Sequence, residues 1–490
     1  MNCLLHVANF LLILRIEIMN LIIVTILILV YILISTEYLT NINKAAVAIF
    51  AAATGWVLYI CYGTDFVMGE HAEEYKFFLQ YCSETDSPVK HFIARNVFLP
   101  YVGKASEIAL FLLATMTIVE ILNNNGCFDF LRQLLRTRSS KRMLWTLAIV
   151  TFAVSANLDN LTTTVMMLTM MNGVIPNRHH RMVYGSVVML AANCGGALTV
   201  IGNPEGLVLW NTGAVTATSY SLSMAVPCLV AWLLPTYMLS RMLPDRVETE
   251  SIVMPYRGED TRLNVWQRLV MLIVGIGGLW FIPTFHSITK LSPFLGVLCV
   301  LAILWIVNEI FNRKLMDIQP MGEKRVPHML QYGVIQMMLY ILGFMLAIGV
   351  VKETGAIDDA LAYLHLDKAQ TWMCGLMAGV ASVVLDNFAT AMTFFSFHDI
   401  GNVAFNGLPG NIMPGNAMTT GIADYAQNGL FWKMVTFCTM AGGNVLSVGN
   451  VSGLALMKME RIHLGWYFRN VGWKALLGAL LGYACMILLS

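Results

Sequence analysis

Along this chain, apolar runs long enough to cross a bilayer alternate with short polar breaks. A spanning helix needs about 20 mostly apolar residues. Runs near that length fall at about 20–36, 44–62, 105–123, 143–158, 160–174, 182–202, 222–240, 267–283, 291–311, 331–351, 370–386, 431–448 and 473–489. Several are short or interrupted by polar residues. The pattern therefore predicts an all-α polytopic membrane protein with roughly eleven to thirteen hydrophobic elements, some re-entrant rather than spanning. Residues 20–36 read as the first spanning helix, because no small-residue cleavage site follows them as it would a signal peptide. Residues 1–18 are loosely patterned, and Met19 is a candidate translation start that N-terminal sequencing of the expressed protein would decide.

The polar breaks suggest an orientation. The segment from Arg132 to Arg142 holds Arg132, Arg136, Arg138, Lys141 and Arg142 and no acid, which marks a cytoplasmic loop. The stretch 63–103 carries Asp65, Glu70, Glu73, Glu74, Glu84 and Asp86 and is expected outside, one helix away. Segments 241–266 and 312–328 are polar connections, and 398–429, rich in Gly, Asn and Pro, reads as a long loop. The expected organisation is an N-terminal segment and first helix (1–40), a first half (41–243), a polar connection (244–266) and a second half (267–490).

Composition agrees with a lipid setting. Of 490 residues, 57% are hydrophobic and 12% charged, against about 25% charged in soluble proteins. The formal net charge of +1 leaves no basic stripe for nucleic acid. The 38 Gly and 32 Met suit close helix packing. None of the ten Cys forms a C-x-x-C pair and most lie in apolar runs, so they read as small packing residues. No cofactor is expected, and no metal beyond a transported ion.

Two motifs recur in the same order. Ser155, Asp159, Asn160 and Thr163 spell S-x-x-x-D-N-x-x-T, and so do Ser382, Asp386, Asn387 and Thr390, 227 positions later. Gly195-Gly196 leads to Gly202-Asn203 and Gly206-Leu207; Gly442-Gly443 leads to Gly449-Asn450 and Gly453-Leu454, 247 positions later. Matched, Gly-interrupted hydrophobic segments in two halves point to a transporter binding site. An Asp at the bilayer centre costs about 2.5–3.5 kcal/mol on the lenient scale, so it is rare without a use. On a continuous helix Ser155, Asp159 and Thr163 would share a face; alternatively Asn160 is an N-cap and the helix breaks there. Either way hard oxygen ligands converge, suited to Na⁺ or H₃O⁺. At Gly202-Asn203-Pro204, Gly is expected to end one helix, Asn to cap the next and Pro to occupy its first turn, with Glu205 just beyond. The plain alternative is a pair of kinked helices held by interhelical hydrogen bonds.

Other polar residues carry less. Glu107 and Glu120 lie in one apolar helix, 13 residues and so about 20 Å apart, too far for one site. His179-His180, flanked by Arg178 and Arg181, read as a solvated turn. Trp210, Trp266, Trp280 and Trp466 read as interface anchors.

The stretches SANLDNLTTT, NCGGALTVIGN with LVLW, SVVLDNFAT, and AGGNVLSVGN with SGLALM resemble the NhaD-type sodium/proton antiporters of the ion transporter superfamily. SEIALFLLATMTIVEI and the ending WYFRNVGWKALLGALLGY are similar to that family as well, so the resemblance covers roughly residues 40–490. It implies two inverted repeats, each with a re-entrant hairpin and a broken helix, a homodimer in the cell inner membrane, and a cation site lined by Asp159, Asn160, Thr163, Asp386 and Asn387. It matches Glu107 and Glu120 to acids of the family's early helix. There are departures. The family commonly has Asp where Asn203 stands and V-T-T where Pro204-Glu205-Gly206 stands, and Ser is common at Asn450. The function expected is exchange of Na⁺ or Li⁺ for H⁺: proton and cation compete for buried carboxylates, and either one neutralises the site so that it crosses. The alternative within the superfamily is a sodium-coupled symporter or exporter of a small anion, of carboxylate or arsenite type. An enzyme is not expected, since neither H-E-x-x-H nor G-x-S-x-G occurs. Saturable, pH-driven exchange would argue against a channel.

Overall fold

A computed structural model describes residues 2–40, 42–81, 87–134, 137, 139–246, 263–316, 332–363, 370–398 and 424–489. Much of the expected connections 241–266, 312–328 and 398–429, and Arg136, Arg138, Glu84 and Asp86, lie outside these residues.

The described chain is helical. In order the helices are α1 (Asn2–Ser35), α2 (Glu37–Thr40), α3 (Lys44–Cys61), α4 (Gly63–Glu70), α5 (Ala72–Tyr81), α6 (Pro88–Asn124), α7 (Asp129–Leu134), α8 (Ser140–Ser155), α9 (Asn160–Asn172), α10 (Arg178–Leu198), α11 (Pro204–Asn211), α12 (Ala217–Ser240), α13 (Val265–Thr289), α14 (Pro293–Met316), α15 (Tyr332–Glu353), α16 (Ala356–Tyr363), α17 (Thr371–Ser382), α18 (Asn387–Phe395), α19 (Leu430–Leu446), α20 (Val451–Glu460) and α21 (Leu464–Leu489). Among them α3, α6, α12, α13, α14, α15 and α21 contain segments long and apolar enough to cross a membrane. This is an all-α, multi-pass membrane protein.

One expectation needs correction. The first helix begins at Asn2, not near residue 20, because residues 2–19 hold helix formers and no Gly or Pro to stop them. The acidic stretch 63–103, expected outside, contains α4, α5 and the start of α6.

The chain divides into two compact units. The first comprises residues 1–109, 336–369 and 392–397. There α3 and α15 approach closely: a Cβ on Gly343 would lie 2.7 Å from the Ile49 nitrogen, and the Trp56 indole donates to the Leu346 carbonyl at 3.0 Å. At one end His71 bonds Glu353 at 2.7 Å and Glu74 at 3.1 Å, and the Tyr101 hydroxyl donates to Glu353 at 2.7 Å.

The second unit comprises residues 110–335, 370–391 and 398–490. In it α8 lies alongside α10 and runs the same way: the Ser140 and Tyr184 hydroxyls are 2.9 Å apart near their starts, and Ser155 Oγ donates to the Ala192 carbonyl at 2.6 Å near their ends. Helix α9 runs back along α10, with Asn160 beside Asn193 and Leu168 and Met171 beside Gly185. So α8 and α9 form a hairpin turning at residues 156–159. Its arms of 16 and 13 residues span about 24 and 20 Å, short of the roughly 30 Å hydrocarbon core.

Helices α17 and α19 repeat the α8–α10 contact. Ser382 Oγ donates to the Thr439 carbonyl at 2.7 Å. A Cβ on Gly442 would meet the Gly379 carbonyl at 2.1 Å, as one on Gly195 would meet the Phe152 carbonyl at 2.3 Å. The broken pairs α10–α11 and α19–α20 run in opposite directions. Arg178 at the start of α10 bonds the carbonyls of Glu460 and Arg461 at the end of α20. Ala214, just after α11, accepts from the Asn428 amide, just before α19.

Two predictions follow from this packing. Gly442→Ala forces α17 and α19 apart, and overpacking of this kind costs about 1–3 kcal/mol. Gly103→Ala, with nothing within 4 Å of the added carbon, should be neutral or stabilising by about 0.5–1 kcal/mol. Thermal melts of the purified protein in detergent compare the two. The second concerns His71. Burial alone lowers its pKa, but the hydrogen bonds and charges of Glu353 and Glu74 outweigh that and raise it above its ordinary 6.5. A raised native pKa means stabilisation fully present below the unfolded value of about 6.5 and lost as pH climbs through the native one. The melting difference between the natural protein and His71→Ala should therefore be largest at acid pH and shrink with alkalinity.

Candidate functional site

The turn between α8 and α9 meets one helix break, and the turn between α17 and α18 meets another. Helix α8 stops at Ser155 and α9 starts at Asn160, so Ser155, Asp159 and Thr163 do not line one continuous helix. Asp159, not Asn160, is the N-cap: its carboxylate accepts from the Thr162 backbone amide at 2.9 Å and the Thr162 hydroxyl at 3.2 Å. A carboxylate satisfies orphan amide donors there and meets the positive end of the helix dipole. Asp159 is 5% exposed. Among the described residues no Lys, Arg or His forms an ion pair with it.

The break between α10 and α11 packs against that tip. The Asn160 amide donates to the Gly202 carbonyl at 3.3 Å. The small residues are required here: a Cβ on Gly196 would lie 2.4 Å from Asn203 Oδ1, 2.8 Å from the Gly202 carbonyl and 3.1 Å from Asn160 Cβ. Asn203 occupies the N-cap position of α11, with Pro204 in its first turn, as expected. It makes no cap bond, however. Both polar atoms of its buried amide lack a hydrogen-bond partner among the described residues, as does the Thr163 hydroxyl. Glu205 is 2% exposed, in the first turn of α11.

The second copy has the same frame. Asp386 accepts from the Ala389 amide at 3.3 Å, and the Asn387 amide donates to the Gly449 carbonyl at 2.7 Å. Its Thr390 and Asn450 are satisfied by the backbone, whereas the buried Ser447 and Ser452 hydroxyls lack a partner among the described residues. Thr390 Oγ1 donates to the Asp386 carbonyl at 2.9 Å. Asn450 caps α20 by accepting from the Gly453 amide, and donates to the Gly443 carbonyl at 2.8 Å. Ser452 stands where the first copy has Glu205, at the same 247-residue offset.

Two site residues were not anticipated. Asn160 Nδ2 donates to Asn193 Oδ1 at 3.2 Å, and Asn193 Nδ2 donates to Asn444 Oδ1 at 2.6 Å. This buried chain of amides links the first hairpin tip to α19. Their signal was a lone amide next to each Gly-Gly pair inside an apolar run.

Other expected residues fall as follows. Glu120 is buried and accepts from Asn124 at 3.0 Å. Glu107 is half-buried, and α6 is helical throughout, so the separation of about 20 Å holds. His179 and His180 lie in the first turn of α10, with His179 exposed. Trp266 and Trp280 are 76% and 66% exposed, as anchors would be, but Trp210 is 4% exposed. It ends the short α11, whose residues 204–210 are all buried, so it packs within the protein. Five cysteines are buried and the described ones are free thiols. Among the described residues no group of three or more His, Cys, Asp or Glu could hold a metal ion.

Chemically, the first copy presents a buried carboxylate with no ion pair among the described residues, flanked by amide and hydroxyl groups. A buried carboxylate must be neutralised, and a proton or a hard cation can do it.

Comparison with known proteins agrees with this chemistry. Residues 10–400 match the family described as citrate transporter, CitMHS. The chain is 29% identical over 393 residues to sodium/proton antiporter 1 of Arabidopsis thaliana, covering 79% of this chain and 62% of that protein, less than two thirds of its length. It is 28% identical over 381 residues to sodium/proton antiporter 2 of the same plant, covering 77% and 83%. It is 22% identical over 404 residues to the Na⁺/H⁺ antiporter NhaD of Vibrio parahaemolyticus, covering 77% and 88%. The resemblance to NhaD-type antiporters read from the motifs is thus borne out at the level of the whole chain. With most of its length matched, this chain belongs to the CitMHS citrate transporter family.

Proposed function

We propose that this protein is a secondary active transporter that exchanges Na⁺ or Li⁺ for H⁺ across the cell inner membrane, with Asp159 as the group the two ions compete for. The observation that carries this is Asp159 itself: a buried carboxylate at a helix break, without an ion pair, beside the unpartnered oxygens of Thr163 and Asn203. The sodium/proton antiporter names of its relatives support the same chemistry. Asp386, Asn387, Ser382 and Thr390 form the second element of the site. Halves 41–243 and 267–490 act as inverted repeats; support comes from their shared hydrogen bonds and from the opposite directions of α10–α11 and α19–α20. A site carrying bare charge is costly to move through lipid, whereas a proton or a cation neutralises it. Exchange follows, because one occupant must leave before the other binds. This is transport, with no covalent step.

A second reading, a sodium-coupled symporter or exporter of a small anion, is favoured by the citrate transporter description of the family and by an uncharged Asn203. Stimulation of Na⁺ uptake by an organic acid would decide for it.

The direct test is cation-dependent proton movement in everted membrane vesicles, with Na⁺, Li⁺ and K⁺ in turn. A Na⁺ or Li⁺ response that falls about a hundredfold or more in Asp159→Asn, with the variant present in the membrane, is the expected result, since intramembrane acids carry such pathways. Undiminished exchange in that variant would falsify the assignment. Thr163→Val should separate function from stability. Removing a buried hydroxyl that lacks a partner is neutral or stabilising, so the melting temperature should hold or rise. The apparent KM for the cation should rise about tenfold, the equivalent of one lost ligand at ~1.4 kcal/mol. A KM unchanged within twofold would remove Thr163 from the site.

A further inference from the structure

The start of α10 and the end of α20 border a cleft of about 400 Å³ lined by Arg178, His179, Met182, Arg461, His463 and Trp466. Its chemistry is two-sided. Arg178 and Arg461 are exposed, and among the described residues no carboxylate forms an ion pair with either. The nearby acid, Glu460, is turned inward: its side chain is 1% exposed and bound to Arg181 Nε at 3.1 Å. Arg178 is fixed by its Nε and Nη2 bonds to the carbonyls of Glu460 and Arg461, between 2.9 and 3.3 Å. Met182 and Trp466 supply apolar surface, and the His179 ring meets Trp466 edge-on with centroids 6.1 Å apart.

The position of the cleft names its occupant. Trp466 lies in the first turn of α21, an apolar helix long enough to cross a membrane, so the cleft borders lipid. Tyr184 and Ser140 tie this end of α10 to the start of α8, where Lys141 and Arg142 are exposed. Clustered Lys and Arg mark the cytoplasmic face, whose leaflet carries anionic lipid. A phosphate on a glycerol backbone matches guanidinium and imidazole donors above an indole and a thioether.

We infer that the cleft between the start of α10 and the end of α20 binds the headgroup phosphate of an anionic phospholipid of the cytoplasmic leaflet. The inference is independent of the transported ion. It is tested on the purified full chain in detergent, by titrating dioctanoyl-phosphatidylglycerol and dioctanoyl-phosphatidylcholine against Arg461→Asn/His463→Gln. Arg461 has a left-handed backbone (φ 51°) that Asn adopts readily, so this variant removes charge and leaves Arg178 holding the helix end. The expected result is phosphatidylglycerol binding that weakens about tenfold in the double variant, stays within about threefold in Arg461→Lys, and is absent for phosphatidylcholine. Equal binding of both lipids, or of phosphatidylglycerol by the double variant, would overturn it. Displacement by millimolar inorganic phosphate would overturn the lipid in favour of a soluble anion. If the double variant does not purify, photo-crosslinking of a phosphatidylglycerol probe to the natural protein decides: adducts on 178–182 or 461–466 support the site, and adducts only elsewhere reject it.

Discussion

The arrangement of the second unit follows from holding a carboxylate inside an apolar helix assembly without a fixed countercharge. Ion pairing would satisfy Asp159 and also make it inert, because a buried pair broken on one side leaves an unpaired charge. The alternative is to offer hydrogen-bond donors, and a helix N-terminus supplies them from the backbone. That requires a helix to begin at the depth of the acid. Hence α8 stops at Ser155, the chain turns, and Asp159 caps α9 through the Thr162 amide and hydroxyl. A chain that turns back there yields a hairpin whose arms are too short to cross.

The turn itself has free carbonyls and amides that must be met. The break between α10 and α11 meets part of that need, with the Gly202 carbonyl accepting from Asn160. Contact this close excludes side chains, which accounts for Gly195, Gly196 and Gly202 together: each Cβ would fall within 2.5 Å of a backbone carbonyl or of the Asn203 amide. Serine does the complementary work. Ser155 and Ser382 each tether the last turn of a hairpin arm to a carbonyl of the neighbouring broken helix. The motif residues are thus of two kinds. Asp159 caps α9 and Thr163 keeps a buried hydroxyl without a partner among the described residues; Ser155, Asn160 and the glycines hold two breaks against each other.

How much of this the sequence disclosed depended on the type of signal. Membrane-length runs are long and their physics is uniform, so most helices lay where hydropathy put them. The paired motifs survived because two copies reinforce each other. Asn193 and Asn444 escaped for the same reason: their counterparts at the 247-residue offset are Met440 and Ala197, so a search for repeats passes over them. Whether the helix broke at Asp159 was undecided, since Asp and Asn are both good caps and the choice rests on where the Thr162 amide points. Trp210 misled because an aromatic at the end of an apolar run looks alike whether the run ends at lipid or inside protein.

The differences between the two copies carry as much information as the likeness. In the second, Thr390 and Asn450 spend their polar atoms on the backbone, while the buried Ser447 and Ser452 hydroxyls lack a partner among the described residues. In the first, the equivalent Thr163 and Asn203 leave theirs unmet. Buried polar groups without partners cost about 1–3 kcal/mol each, so a fold with only structural demands would have the same bonds in both copies. Both copies hold a buried carboxylate, Asp159 in the first and Asp386 in the second. The amide chain from Asn160 through Asn193 to Asn444 gives the two a common connection, so an occupant at Asp159 that draws on Asn160 also bears on α19.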